Sequence, residues 1–223
     1  VHKIALLRLA GYREWTESLG PWRERLIQLT QARIHAALWS AFTAIGALPH
    51  HFRYDYLIAL ANNVRDAAIR RVARAVSIHS PVAVELCIGR GETPLGAYAS
   101  CGRGGDLREE GEAVVAHVDI AGSTRATSSD GPLSVYLEVV ELMARLGDEC
   151  KEVGCMVFYL GGDNMMAFLP DPAAAGGLLR RAGLQRVRAG VGVSERPYDA
   201  FSKATRALDY LRRAGREGVK VVK

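Results

Sequence analysis

The chain has 223 residues, 49% hydrophobic and 24% charged, a balance that excludes a disordered or fibrous protein and allows one large domain or two small ones. Its net charge of +5 rests on 24 arginines against five lysines. Arginine suits bidentate phosphate contacts, and no basic stripe interleaved with aromatics accompanies it, so the expected partner is a small anionic ligand rather than nucleic acid.

In chain order, Ile4 to Leu9 reads as a strand, and charges within this first apolar run argue against an export signal and for a cytoplasmic setting. Pro21 to Gly46 reads as a long helix. Its lightly polar stretch from Ala36 to Pro49 is shorter than the roughly 20 residues a bilayer span needs, so no membrane segment is expected. The same helix, around Ala36 to Leu48, is the surface on which a homo-oligomer is expected to form. His51 to Ala61 is a hairpin, Asn63 to Ser77 a helix and Val82 to Ile88 a strand. Tyr98 to Gly111, rich in glycine and charge, reads as a mobile surface link. Then come a strand (113 to 120), a helix (132 to 152), a hairpin (155 to 169), a helix (172 to 183), a strand (186 to 193), a helix (198 to 214) and a short strand (218 to 222).

The second half thus repeats the first. The order β-α-β-β-α-β predicts an α+β protein of two tandem ferredoxin-like units, each an antiparallel sheet with helices on one face. The expected division is a unit over 1–98, a link over 99–111 and a unit over 112–223. Two local matches support the repeat: Asp55 and Asp163 fall at equivalent hairpin tips, and Gly89 to Ala97 shares G-x-x-E-x-P-x-x-A with Gly192 to Ala200.

Chemistry concentrates in the second unit. Gly161-Gly162-Asp163-Asn164 is a tight turn whose glycines permit positive φ and leave backbone N–H groups bare for a phosphate, beside a carboxylate able to reach a metal. Upstream, a strand ends at Asp119-Ile120, followed by the small-residue loop Ala121-Gly122-Ser123. Two acids on neighbouring strand ends suit Mg²⁺-nucleotide chemistry. In the first unit Ala10 is taken as the counterpart of Asp119, so that unit lacks the pair. Asp55 is expected to pair with Arg53 or Arg13. His117 lies on the same sheet face as Asp119 and reads as a packed or hydrogen-bonding residue, and Tyr12 with Trp15 could pack or stack on a purine. Cys87, Cys101, Cys150 and Cys155 lack C-x-x-C spacing and read as buried small residues; zinc is not expected. Few Asn and Gln hint at a thermophilic source, in which a disulfide is admissible.

An acid ending the first strand and a G-G-D turn resemble the palm domains of nucleotidyl cyclases and GGDEF-type diguanylate cyclases, though Asn164 stands where GGDEF has glutamate. The last helix is similar too, and Arg212 corresponds to a basic residue facing phosphates. A closer resemblance, over nearly the whole chain, is to archaeal GTP cyclohydrolase III. It rests on Phe158 to Ala167, Ala116 to Ile120, Glu92-Thr93-Pro94, and Tyr12, Trp15-Thr16, Pro21, Arg23-Glu24, Gln28, Gln31 and Arg33. The family typically has an acid at Ala10 and Asn at Tyr56. The resemblance implies GTP as substrate, hydrolytic opening of its imidazole ring and loss of two phosphates. It further implies Mg²⁺, with a monovalent cation as an optional addition, held by Asp119, Asp163 and the Ile120 carbonyl. Ala121, Gly122, Ser123, Gly161, Gly162, Asn164 and Arg212 would contact the nucleotide. A palm-type cyclase and a non-catalytic GTP-binding module are the alternatives.

Overall fold

The structure, a computed structural model, describes residues 1–102, 109–183 and 186–223. The N-terminal unit runs β1 (His2–Ala10), α1 (Tyr12–Ser18), α2 (Glu24–Thr43), β2 (Leu48–Arg53), β3 (Tyr56–Leu60), α3 (Asp66–Ser77), β4 (Ala83–Gly91) and α4 (Pro94–Ala99). The C-terminal unit runs β5 (Ala113–Ile120), α5 (Ser123–Asp130), α6 (Pro132–Val153), β6 (Met156–Gly161), β7 (Asn164–Leu169), α7 (Ala174–Arg181), β8 (Val187–Ser194), α8 (Pro197–Arg213) and β9 (Gly218–Val222). Strand orders β2-β3-β1-β4 and β6-β7-β5-β8-β9 give two ferredoxin-like sheets. They are antiparallel throughout the repeat, and the added strand β9 lies parallel to β8.

Alternation along each central strand sorts the core. Ala5, Leu7 and Leu9 point to α2 and α3, and Val114, Ala116, Val118 and Ile120 point to α6 and α7. Ile4 and Val115 point the other way, into a third core formed where the two sheets face each other. That shared core pairs equivalent residues of the two units, Ile58 with Met166, Leu60 with Phe168 and Ala97 with Ala200. Beyond the one-face plan, α4 and α8 therefore cover the second face of each sheet.

The repeated G-x-x-E-x-P-x-x-A now has a physical cause. A Cβ on Gly89 would lie 2.0 Å from the Ala97 carbonyl oxygen, and one on Gly192 would lie 1.9 Å from that of Ala200. Helix backbone rests directly on strand backbone at both places, and Pro94 and Pro197 begin the two helices. The units also dock reciprocally. Gly46, past the end of α2, accepts from the Tyr198 N–H of α8 at 3.1 Å, and Gly154, past the end of α6, accepts from the Leu95 N–H of α4 at 3.0 Å. Tyr198 and Leu95 are equivalent, as are Gly46 and Gly154, so the monomer carries an internal pseudo-two-fold axis.

Some expected boundaries move. The long helix expected from Pro21 begins at Glu24, and the sequence reading overlooks α1 and α5, each of which follows a glycine in the left-handed region: Gly11 at φ +78° and Gly122 at +83°. The helix expected from Asn63 begins at Asp66, because Asn62 accepts from the Lys3 backbone N–H and Asn63 adopts φ +58°. The stretch expected as an oligomer surface is two-sided: Leu38, Phe42, Ala47 and Leu48 are fully buried, while Ala36, Ser40 and Ala44 are exposed. Cys150 and Cys155 form a disulfide, while Cys87 and Cys101 are free and half-buried. No described helix is long and apolar enough to cross a membrane.

Of the expected link, residues 103–108 lie outside those described. Its end is tied rather than loose: Glu110 pairs with buried Lys3 at 2.8 Å and with Arg90 at 3.2 Å. Both cations also reach Asp66, at 3.2 and 2.7 Å. Burial alone would raise the Asp66 carboxyl, but the hydrogen bonds from Arg90 and Lys3 outweigh it and hold the group below its ordinary 3.8.

Two predictions follow from this packing. Gly192→Ala is expected to destabilise the fold by at least the ~1–3 kcal/mol of an overpacked core. Gly177→Ala, in a helix with open space around it, is expected to be neutral or stabilising by up to ~1 kcal/mol; urea denaturation of both variants checks the contrast. Because the folded Asp66 pKa is depressed, its contribution is fully present above the unfolded carboxylate pKa and is lost as pH falls through the folded value. The stability gap between wild type and Asp66→Asn should therefore be constant at neutral pH and close below pH ~4, as read from unfolding free energies along a pH series.

Candidate active site

Strand β5 lies between β7 and β8, and its residues His117 and Asp119 both face α8. Asp119 is only 2% exposed, and a carboxylate so placed needs counter-charge. Arg212 of α8 donates from Nε to Asp119 Oδ2 at 2.7 Å. Arg188, opposite Asp119 on β8, brings Nε within 3.1 Å of Oδ1. This second contact is an ion pair without hydrogen-bond alignment, since Asp119 Oδ1 and Arg188 Nε are both buried and make no hydrogen bond.

Asn164 is the node of the site. Its Oδ1 accepts from Arg212 Nη2 at 2.9 Å and from His117 Nε2 at 3.1 Å, and its Nδ2 donates to Asp163 Oδ1 at 3.0 Å. These partners assign the His117 proton to Nε2, leaving Nδ1 to share the Thr205 hydroxyl with the Phe201 carbonyl, at 3.0 and 3.1 Å. Burial lowers the His117 pKa despite the bond to Asn164, which keeps the ring neutral. The histidine is thus a hydrogen-bonding residue, as the sequence reading has it. Arg212, expected to face phosphates, is engaged with Asp119, Asn164 and Asp209.

Asp163 lies on an open cleft of about 450 Å³ with Ser123, Thr124, Tyr136, Tyr159 and Gly162. Gly161 at φ +117° and Gly162 at +60° adopt the positive φ that the turn demands, and Tyr159 donates its hydroxyl to the Gly162 carbonyl at 3.1 Å. Asp119 is not among the residues lining this cleft, and the Ile120 side chain is buried against α6. The expected backbone cradle is smaller than Ala121 to Ser123, because the Ala121 N–H donates to the Arg186 carbonyl at 2.6 Å. Gly122 and Ser123 remain, where the chain turns into α5. Tyr12 does not reach the cleft; it accepts from Gln31 at 2.7 Å and lies 5.4 Å from the Trp15 ring.

The twin site corrects one expectation. The register of β1 sets Arg8 opposite Tyr56 on β3 and opposite Glu85 on β4. In the other sheet Asp119 lies opposite Arg188 on β8, and Val118 lies opposite Met165 on β7 as Leu7 lies opposite Leu57 on β3. The counterpart of Asp119 is therefore Arg8, and Ala10 answers to Ala121. Counting back from the loop could not reveal this without the strand pairing. At the twin tip Asp55 is held by Arg53 at 2.7 and 2.9 Å, whereas Arg13 pairs with Glu17. Sequence reading also overlooked Arg188 and Thr205; a lone arginine inside an apolar strand was the available signal for the first.

The donors at the principal site are carboxylate and carbonyl oxygens, the set a hard divalent cation takes, and Asp119 Oδ1, ion-paired with Arg188 but accepting no hydrogen bond, keeps lone pairs for one. Among the described residues no group of three or more His, Cys, Asp or Glu converges on a point, so a cation here would rest on two carboxylates, backbone and ligand oxygens.

The family model for GTP cyclohydrolase III matches the chain twice, over residues 4–114 and 102–222. The GTP cyclohydrolase III of Pyrobaculum arsenaticum is 58% identical over 227 residues and that of Pyrobaculum islandicum 54% over 223, each match covering 100% of both chains. The Aeropyrum pernix GTP cyclohydrolase III is 32% identical, covering 99% of this chain and 96% of its own. Among solved structures, the GGDEF domain of PA1120 from Pseudomonas aeruginosa covers 51% of this chain and 83% of its own at 16% identity, with a TM-score of 0.43. Family membership rests on the sequence matches, and with both halves matched and full-length relatives more than half identical, the chain belongs to the GTP cyclohydrolase III family.

Proposed function

We propose that the protein is a Mg²⁺-dependent GTP cyclohydrolase. It opens the imidazole ring of GTP to the formylaminopyrimidine nucleotide monophosphate and releases the terminal two phosphates. The observation that carries this reading is the union of the full-length family match with an intact Gly161-Gly162-Asp163-Asn164 tip on an open cleft.

Asp163, Asp119 and the Ile120 carbonyl are the groups that would hold Mg²⁺. Bound there, the ion supplies Lewis acidity and neutralises charge that develops on the phosphates. The chain's own residues do the rest. Gly162 keeps the tip bare, so that a phosphate can approach the backbone. The first turn of α5, at Gly122 and Ser123, offers N–H groups and the positive end of a helix dipole to the same anion. Asn164, held by His117 and Arg212, fixes the Asp163 carboxylate from behind. Arg212 and Arg188 supply the counter-charge that the buried Asp119 carboxylate needs. Tyr136 and Tyr159 give the cleft aromatic surface suited to a purine.

Incubation with GTP and Mg²⁺, followed by phosphate assay and product mass, tests the reading. A ring-opened product with release of the terminal phosphates is expected. A cyclic product with an intact purine would instead make the chain a palm-type cyclase, and tight binding without turnover a binding module. Asp163→Asn should abolish turnover. Asp55→Asn should leave it within about twofold of wild type, because the Arg53-bound carboxylate of the twin tip is already paired and its loss is a surface-type change; steady-state rates of the two variants decide this.

A further inference from the structure

Where edge strands β2 and β6 approach each other near the pseudo-two-fold axis, a second cleft of about 360 Å³ opens. Its walls are equivalent through the repeat: His35 answers to Met143, His50 to Phe158 and His51 to Tyr159. One wall is imidazole where the other is thioether and aromatic. Neither Asp163 nor Asn164 bonds to any of the three histidines. Imidazoles at these places, His50 buried and His35 and His51 half-buried, cost more desolvation than the thioether and aromatic rings of the twin wall.

The imidazole nitrogens are held in order. His51 is sandwiched between two rings, His50 at 4.7 Å and Tyr54 at 4.3 Å, each 20° from parallel. The His50 Nδ1 is taken by the His51 backbone carbonyl at 2.5 Å. The plane of His51 is therefore fixed, and its Nδ1 meets His35 Nδ1 from α2 at 2.9 Å. Two neutral imidazoles meeting in this way share one proton between converging lone pairs. A cation in the place of that proton, with tetrahedral Zn–N bonds of ~2.0–2.1 Å, sets its two nitrogens about 3.3 Å apart. A widening of a few tenths of an ångström through His35 would accommodate it.

We propose that His35 and His51 form a two-imidazole chelate for a borderline divalent transition cation such as zinc, nickel or copper, chemically separate from the oxygen site at Asp119 and Asp163. Imidazole nitrogen selects such ions over Mg²⁺, and with no third ligand among the described residues converging on the pair, water from the open cleft completes the coordination. Burial lowers His51 to about 4 and also lowers His35 and His50, so protons compete weakly for the nitrogens at neutral pH. The zinc exclusion drawn from cysteine spacing did not reach this pair, whose members are sixteen residues apart on different elements.

Calorimetric titration of ZnCl₂ into the full chain in saturating Mg²⁺ tests the site. One equivalent is expected to bind. His35→Met and His51→Tyr, which install the residues of the twin wall and so preserve packing, should each weaken binding by more than the roughly tenfold that loss of an outer-shell partner costs. Asp163→Asn should leave it unchanged. Absence of binding by wild type, binding that survives both histidine variants, or binding lost in Asp163→Asn would each overturn the proposal.

Discussion

Two backbone hydrogen bonds, from Tyr198 to Gly46 and from Leu95 to Gly154, tie each unit to the second-face helix of the other beside their shared core. The first N–H groups of a helix have no partner within the helix, and each unit supplies a carbonyl to the second-face helix of the other. Helix α8 also rests by its backbone on Gly190 and Gly192 of its own sheet, and it carries Thr205 and Arg212. The orientation of His117, the charge balance of Asp119 and the set of the Asn164 amide all follow from where α8 lies. The candidate site belongs to one unit by its ligands and to both by its support.

The same dependence explains the glycine at each strand–helix contact. A strand that must touch a helix backbone cannot carry a side chain there, and Gly89 and Gly192 meet that condition in the two halves. The motif that revealed the duplication in sequence is thus a packing requirement, with Glu92 and Glu195 between the constrained positions.

Much of the fold was legible because it obeys period. Strand alternation, the Gly161-Gly162 turn and the doubled order of elements could be read from residue types alone. The register of β1 could not: Arg8, Ala10 and Asp119 differ in which cross-strand neighbour they meet, and only pairing with Tyr56 and Glu85 decides it. Nor could tertiary partners be read. Arg188 meets Asp119 from a neighbouring strand and Arg212 from a distant helix, while the Ala121 N–H was spent on Arg186 by a loop contact. The comparison also shows how the halves have diverged: Arg8 and Glu85 form an ion pair at 3.5 Å with more than half of each side chain exposed, whereas Asp119 and Arg188 reverse its polarity at 3% and 14% exposure. At the surface such a pair contributes little. In the interior, loss of one partner strands a charge, which confines the useful tension to the half with the open cleft.

The disulfide gives the two docking turns different lifetimes. Each is closed by a corresponding backbone bond, Ala47 to Phe42 at 3.1 Å and Cys155 to Cys150 at 3.0 Å, but only the second is also closed covalently. A turn closed by hydrogen bonds alone frays at a small free energy, and a cross-linked one cannot separate its ends. Breathing of the molecule should therefore begin at Gly46, releasing the start of α8 while α4 stays seated, so amide protons near Tyr198 would exchange with solvent sooner than those near Leu95.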